Sequence, residues 1–168
     1  RLEELGEFRG ATIIDDYAHH PTEIKAAISA VRQKYGVKRK LIVAFHPHTY
    51  SRTRALFNDF VKSFDQVDEL IILDIYGSAR EKQGGVHSKD LTEAIKRVRQ
   101  RRLPAGQAGI RLGRKNQPAM KQQAVKYIPT LKEGEIYLRQ QVERNDLVLL
   151  MGAGDIFRVG ENLIAHSS

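Results

Sequence analysis

Cysteine is absent from all 168 residues, so the chain has no disulfide framework, no thiolate zinc site and no cysteine nucleophile. Long apolar runs are absent too: none reaches the length of a membrane span, and the first residues show no signal-peptide pattern. Two loops that announce common chemistries are also missing. No G-x-x-x-x-G-K-S/T segment occurs, so the chain has no phosphate loop of its own, and no G-x-S-x-G segment occurs, so it has no nucleophile elbow. Aromatic residues make up only 7% of the chain, which leaves few platforms for base stacking, and no nucleic-acid-binding motif is recognisable. A cytoplasmic domain with no membrane partner and no nucleic-acid partner is the expectation.

With 41% hydrophobic residues, residues 1–168 predict one domain with a substantial core. The chain opens on Arg1 rather than methionine, as a piece of a longer protein would. Its formal charge is +8, from 28 Lys and Arg against 20 Asp and Glu, which favours anionic partners. The excess is uneven. Residues 96–126 hold Lys96, Arg97, Arg99, Arg101, Arg102, Arg111, Arg114, Lys115, Lys121 and Lys126 and no acid. Pro104, Gly106, Gly109, Gly113 and Pro118 interrupt this stretch, so it reads as a partly irregular basic insertion at about 99–124. A solvated surface loop is the expected reading; the alternative is an electrostatic collar for a phosphate-bearing ligand.

Strand and helix signals alternate throughout. Ala11–Ile14 predicts a strand, and Pro21 opens a helix to about Tyr35 with Ile24, Ala27, Ile28, Val31 and Tyr35 on one face. Leu41–Phe45 is a buried-strand run, followed by a helix at Thr53–Phe64. Leu70–Ile75 predicts the next strand, and Ser88 is expected to cap a helix through Leu91, Ile95 and Val98. Val125–Ile128 is a short strand, and Thr130 opens a helix. Leu147–Met151 precedes Gly152-Ala153-Gly154-Asp155 and a final helix. Leu2–Phe8 predicts an extra, antiparallel edge strand. The pattern is that of an α/β, Rossmann-like fold: an open, mostly parallel sheet of about six strands with helices on both faces.

Ligands of such sheets bind outside the carboxyl ends of the strands, and those junctions are unusual here. They read Asp15-Asp16-Tyr17-Ala18-His19-His20-Pro21-Thr22-Glu23, then His46-Pro47-His48-Thr49-Tyr50-Ser51-Arg52-Thr53, then Tyr76-Gly77-Ser78-Ala79-Arg80-Glu81, then Met151-Gly152-Ala153-Gly154-Asp155. Asp15 and Asp16 can equally end a strand by bonding nearby amides. His19, His20, His46 and His48 are eligible metal ligands, but they lack the spacing of an H-E-x-x-H site, and no protein metal site is expected. Arg52 and Arg54 at a helix start, where the dipole disfavours cations, point to a bound anion. Gly152-Ala153-Gly154 lacks a third glycine and reads as a tight turn near a ligand, not a dinucleotide site.

The segments DDYAHHPTEI and HPHTYSRT, supported by IYGSARE, GVHSKDL, YIPT and NDLVLLMGAGDI, resemble the C-terminal domain of the Mur ligases over nearly the whole chain outside the basic stretch. HPHTYSRT favours the branch that couples L-alanine to UDP-N-acetylmuramate over the branch that recycles murein tripeptide. The resemblance implies a three-domain, ATP-dependent amide ligase of peptidoglycan precursor synthesis. Its N-terminal and central domains, outside this chain, would hold the UDP portion and most of the ATP and Mg2+, so the chain alone is expected to be inactive. It also implies that Asp16 meets the ATP ribose, that Arg1 reaches the γ-phosphate, and that Tyr17, His19, His48 and Arg52 face the muramyl and alanine site. Among these, His48, Arg52 and His19 are the candidate catalytic residues. Arg52 would take the alanine carboxylate, which a guanidinium fork fits. Some members carry arginine where this chain has Thr49. For the histidines, general-base work and substrate orientation stay equally open. The competing readings are a related amide ligase, such as the tripeptide-recycling enzyme, and a basic nucleic-acid-binding module.

Overall fold

Three short runs are apolar on every residue, and each occupies an interior position in the sheet, because a strand covered on both faces has no solvent side. The computed structural model describes residues 2–79, 84–102 and 124–165. Its strands are β1 (Glu3–Phe8), β2 (Ala11–Asp16), β3 (Leu41–Phe45), β4 (Glu69–Ile72), β5 (Ala124–Tyr127) and β6 (Leu147–Met151). Their order across the sheet is β1-β2-β6-β3-β4-β5. Only the β1–β2 pair is antiparallel; β2–β6, β6–β3, β3–β4 and β4–β5 are parallel. The expected sheet and its antiparallel edge strand are therefore both present. A two-residue turn joins β1 to β2 with Arg9 at φ 51° and Gly10 at φ 78°, the paired positive φ of a tight hairpin. Arg9 is held in that conformation by donating from Nη1 to the Arg139 carbonyl at 2.9 Å.

Helices α1 (Pro21–Tyr35), α2 (Tyr50–Ala55), α3 (Phe57–Val61), α4 (Ser88–Arg102), α5 (Leu131–Gln141) and α6 (Phe157–Ala165) fill the connections. Alternation along each strand splits the core in two. Ile14, Val43, Phe45, Leu70, Ile72, Leu149 and Met151 pack with Ile24 and Ile28 of α1, Phe60 of α3, and Leu91 and Ile95 of α4. Ile13, Ile42, Ala44, Ile71, Val148 and Leu150 pack on the other face with Leu138 of α5 and Val159 and Leu163 of α6.

Three local expectations need correction. The helix read as Thr53–Phe64 begins earlier, at Tyr50, and breaks at Leu56 (φ −109°, ψ 21°) into α2 and α3. Thr49 starts it, its hydroxyl accepting from the Arg52 amide at 3.4 Å. The strand read as Leu70–Ile75 closes its ladder at Ile72, after which Asp74 donates instead to the Pro129 carbonyl at 3.0 Å. Ser88 does not cap α4 but is its first residue, with an Oγ that has no partner among the described residues. His87 is the cap: its Nδ1 accepts from the Lys89 amide at 3.0 Å while Asp90 accepts from the His87 amide at 2.9 Å. This reciprocity is a capping box with an imidazole in the serine's place. The basic stretch at 99–124 lies mostly outside the described residues, and among the described residues no helix is long and apolar enough to cross a membrane.

Candidate functional site

At the carboxyl ends of the central strands the chain leaves in opposite directions. β2 and β3 turn into α1 and into α2–α3 on one face, whereas β6 between them turns into α6 on the other. This is the switch point at which open α/β sheets form their ligand crevice. A backbone bond from the Gly152 amide to the Asp16 carbonyl (3.1 Å) ties the β6 exit to the end of β2, and His46 bonds from its amide to Met151 O at 2.9 Å. Gly152 has φ +147°, and a Cβ there would lie 2.5 Å from the His46 carbonyl oxygen, so this close approach requires glycine.

The two aspartates that end β2 are not equivalent. Asp16 continues the Ile14 face, is 4% exposed and accepts from the Ala18 amide through Oδ1 at 2.8 Å. Asp15 points to the α6 face. It stands directly across from Glu3 in the β1–β2 register, and burial, with the charges of Asp16 and Glu3 adding, pushes its carboxyl up to about 6. Burial disfavours the charged form, and like charges reinforce that shift.

Beyond Asp16 the side chains form a row. Tyr17 is 62% exposed and meets the His19 ring edge-on at 5.2 Å between centroids; His19 meets His48 at 6.0 Å, and His48 stacks on Tyr76 at 5.6 Å. Arg52 reaches the row from α2, its Nη1 lying 3.5 Å from His48 Nδ1. Tyr17, His19, His48 and Arg52 are thus brought together as the sequence led one to expect, next to Asp16. Arg1 and Arg80 lie outside the described residues. Arg54, paired with Arg52 in the sequence reading, is elsewhere: its guanidinium lies against Gly85. His20 is structural, capping α1 by accepting from the Thr22 amide at 3.3 Å, with Glu23 accepting from the His20 amide at 3.1 Å.

The surroundings of the two clustered imidazoles differ in a chemically useful way. His19 Nδ1 lies 2.9 Å from the Tyr17 carbonyl oxygen. A carbonyl only accepts, so the neutral ring carries its proton on Nδ1 and presents a lone pair at Nε2. His48 Nδ1 faces a guanidinium, which only donates, so its neutral form accepts there and carries N–H at Nε2. One histidine can receive a proton and the other can donate a hydrogen bond.

Two residues of this edge were named at the strand-end junctions but given no substrate role by the sequence. Tyr76 joins it because a parallel bridge pairs it with His48 beyond the end of β3. His46 lies edge-on to Tyr76 at 5.6 Å; its place at the start of the HPHTYSRT segment was the available signal. Among the described residues no three imidazoles or carboxylates converge as a metal-binding group. The donor set does not fit a magnesium site supplied by these residues alone.

Residues 1–154 match the family model described as "Mur ligase, glutamate ligase domain". The chain is 38% identical over 165 residues to the UDP-N-acetylmuramate–L-alanine ligase of Desulfosudis oleivorans, covering 98% of this chain and 31% of that protein. It is 40% identical over 167 residues to the enzyme of the same name from Caldanaerobacter subterraneus, covering 99% and 31%. It therefore spans about a third of the length of these curated relatives. Among solved structures, the UDP-N-acetylmuramate-alanine ligase of Thermotoga maritima matches with a TM-score of 0.63 at 22% identity, over 94% of this chain and 26% of that one. A murein peptide ligase from Psychrobacter arcticus matches with a TM-score of 0.69 at 14% identity, over 98% and 29%. At such identities the structural matches speak for the fold alone.

Proposed function

The chain belongs to the Mur ligase family as its C-terminal domain, and from that premise we propose that it serves an enzyme that joins L-alanine to UDP-N-acetylmuramate in peptidoglycan precursor synthesis. The observation that carries this reading is the convergence of Asp16, His19, His48 and Arg52 at one switch point. They come from two separate strand exits, and each offers chemistry that an ATP-driven amide synthesis requires.

In the proposed reaction ATP phosphorylates the muramyl carboxylate. The alanine amine attacks the resulting acyl phosphate, and the tetrahedral intermediate collapses to the amide and inorganic phosphate. Asp16 accepts hydrogen bonds from the ATP ribose hydroxyls, and Arg1 meets the γ-phosphate. Arg52 holds the alanine carboxylate and so points the amine toward the acyl carbon. The lone pair at His19 Nε2 is the acceptor for the amine proton, and the N–H at His48 Nε2 is a donor for the developing oxyanion. The remaining ATP contacts and the UDP portion fall to N-terminal and central domains of the same enzyme. Tyr17 lines the muramyl side.

The test is phosphate release by the full-length enzyme supplied with ATP, UDP-N-acetylmuramate and L-alanine. Release that requires alanine is the expected result. Release that requires a murein tripeptide instead would overturn this reading in favour of the recycling ligase. The isolated 168-residue chain is expected to give no turnover, because it has no phosphate loop.

A further inference from the structure

Burial of a polar group without a partner is unfavourable, and such a group in a native protein calls for a reason. His46 is 8% exposed, its Nδ1 is sealed from solvent, and that atom has no hydrogen-bond partner among the described residues. The ring makes no other side-chain hydrogen bond to the described residues. Burial, with His48 adding, pushes the imidazole below the usual histidine range, so it is neutral at pH 7 and offers one N–H and one lone pair.

The position is fixed and narrow. Its carbonyl is locked against Gly152, and its ring lies on the α6 face, beyond Ile42 and Ala44 of the same strand. A carbon at the missing Cβ of Gly154 would sit 3.7 Å from His46 Nδ1 and 3.9 Å from the Tyr76 ring. The unsatisfied nitrogen therefore faces a space about one carbon wide, walled by a side-chain-free loop and an aromatic ring. A histidine kept only for packing would be better replaced by an apolar residue of similar size.

We propose that His46, with Gly154 and Tyr76, forms a substrate subsite on the α6 side of the crevice, joined through Tyr76 to the His19–His48–Arg52 group. There the ring accepts a hydrogen bond from a proton-donating group of a small-molecule substrate that enters when the Gly152–Asp155 turn shifts and uncovers Nδ1. Two groups carry that chemistry: the amino group of the amino acid and a hydroxyl of the ATP ribose, since Asp16 and His46 flank the same β6 exit. This assignment rests on the ligase reading.

The experiment compares His46→Leu, which is apolar and of similar size, with His46→Gln, which keeps a donor and an acceptor. In the full-length enzyme, the KM values for alanine, ATP and UDP-N-acetylmuramate are measured separately. His46→Leu is expected to raise the alanine or the ATP value about tenfold, with the UDP-N-acetylmuramate value within about twofold, and His46→Gln to restore most of the loss. A rise for alanine identifies the amino group; a rise for ATP identifies the hydroxyl. In parallel, the 168-residue chain carrying His46→Leu is expected to unfold at or above the parental temperature. All three KM values within about twofold of the parent would overturn the proposal. So would a marked fall in unfolding temperature with kcat reduced for every substrate, the signature of a structural role. If the enzyme ligates no alanine at all, the ligase reading fails instead. The unfolding comparison then still decides whether the buried imidazole is a liability to the fold, as the proposal requires.

Discussion

Asp15 is a carboxylate the fold holds at a disadvantage, and Asp15→Asn should make the domain more stable at neutral pH. The folded-state carboxyl is pushed up to about 6 from an ordinary 3.8, because of burial first and the charges of Asp16, Glu3 and Glu161 after it. A shift of about two units corresponds to about 3 kcal/mol at most, and partial solvent screening reduces this to about 1–2 kcal/mol. The sign follows from linkage. The folded state binds more protons than the unfolded state between the two values, so stability falls as pH rises from about 4 to about 6 and stays lower above that. Asparagine is neutral throughout and removes the deficit. Wild type and Asp15→Asn should therefore be nearly equal at pH 4 and differ by about 1–2 kcal/mol at pH 7.5. That is about 3–6 °C in unfolding temperature for a domain of this size. Thermal unfolding followed by circular dichroism from pH 4 to 8 reads the difference directly, and contributions of other titrating groups cancel between the two proteins. Glu3→Gln should produce a smaller gain with the same pH dependence, because Glu3 faces Asp15 across the strand pair. A pH-independent difference, or a less stable Asp15→Asn at pH 7.5, would refute the reasoning.

In the full-length enzyme, Arg52→Ala should raise the KM for alanine about ten- to hundredfold, the worth of one hydrogen bond to a charged group, and leave that for ATP little changed; an unmoved alanine value removes Arg52 from its role. Gly152→Ala should abolish soluble expression or lower the unfolding temperature severely, since its Cβ meets the His46 carbonyl at 2.5 Å; a variant of parental stability would show that the loop relaxes freely. Tyr137→Phe should destabilise the domain by about 1–2 kcal/mol at pH 7. Burial would raise the Glu69 carboxyl, but hydrogen bonds from Lys40 and Tyr137 outweigh it and hold the group below its usual range. The loss should shrink as acid protonates Glu69, which pH-resolved denaturant titration would detect.

The layered sheet was legible because central strands apolar on both faces and helices with a single apolar stripe leave little choice of architecture. Leu41–Phe45 and Leu147–Met151 were located to the residue. Boundaries were lost where tertiary context overrode local pattern. The β4 ladder ends at Ile72: the Leu73 amide still bonds to Phe45 O, but Asp74 and Tyr76 turn to the carbonyls of Pro129 and Pro47, although Leu73 and Ile75 continue the apolar run. The break at Leu56 separates two jobs that one periodicity had merged. Up to Ala55 the helix serves the site with Arg52 and buries only Thr53, whereas Phe60 and Val61 of α3 belong to the core. At α4, serine is the usual N-cap, and nothing in the linear sequence says that the imidazole one position earlier does the capping.

The site shows a deeper limit, and DDYAHHPTE illustrates it. The nine residues look like one functional unit, yet each pair of like neighbours is divided by the geometry of the element it occupies. Alternation along β2 sends Asp16 to the α1 face and Asp15 to the α6 face, where its charge is a burden. The first turn of α1 takes His20 as its cap, bonded to the Thr22 amide with Glu23 completing the box, and leaves His19 outside the helix to meet His48. Capping fixes the direction of α1, and that direction holds the His19 ring where His48 of the second motif meets it. A substitution at His20 or Glu23 should therefore disturb His19 without touching any substrate. For the same reason, identity across the whole segment does not make every residue in it a ligand contact. Asp16, Tyr17 and His19 bring their side chains to the proposed site, while His20 and Glu23 cap the helix beside it.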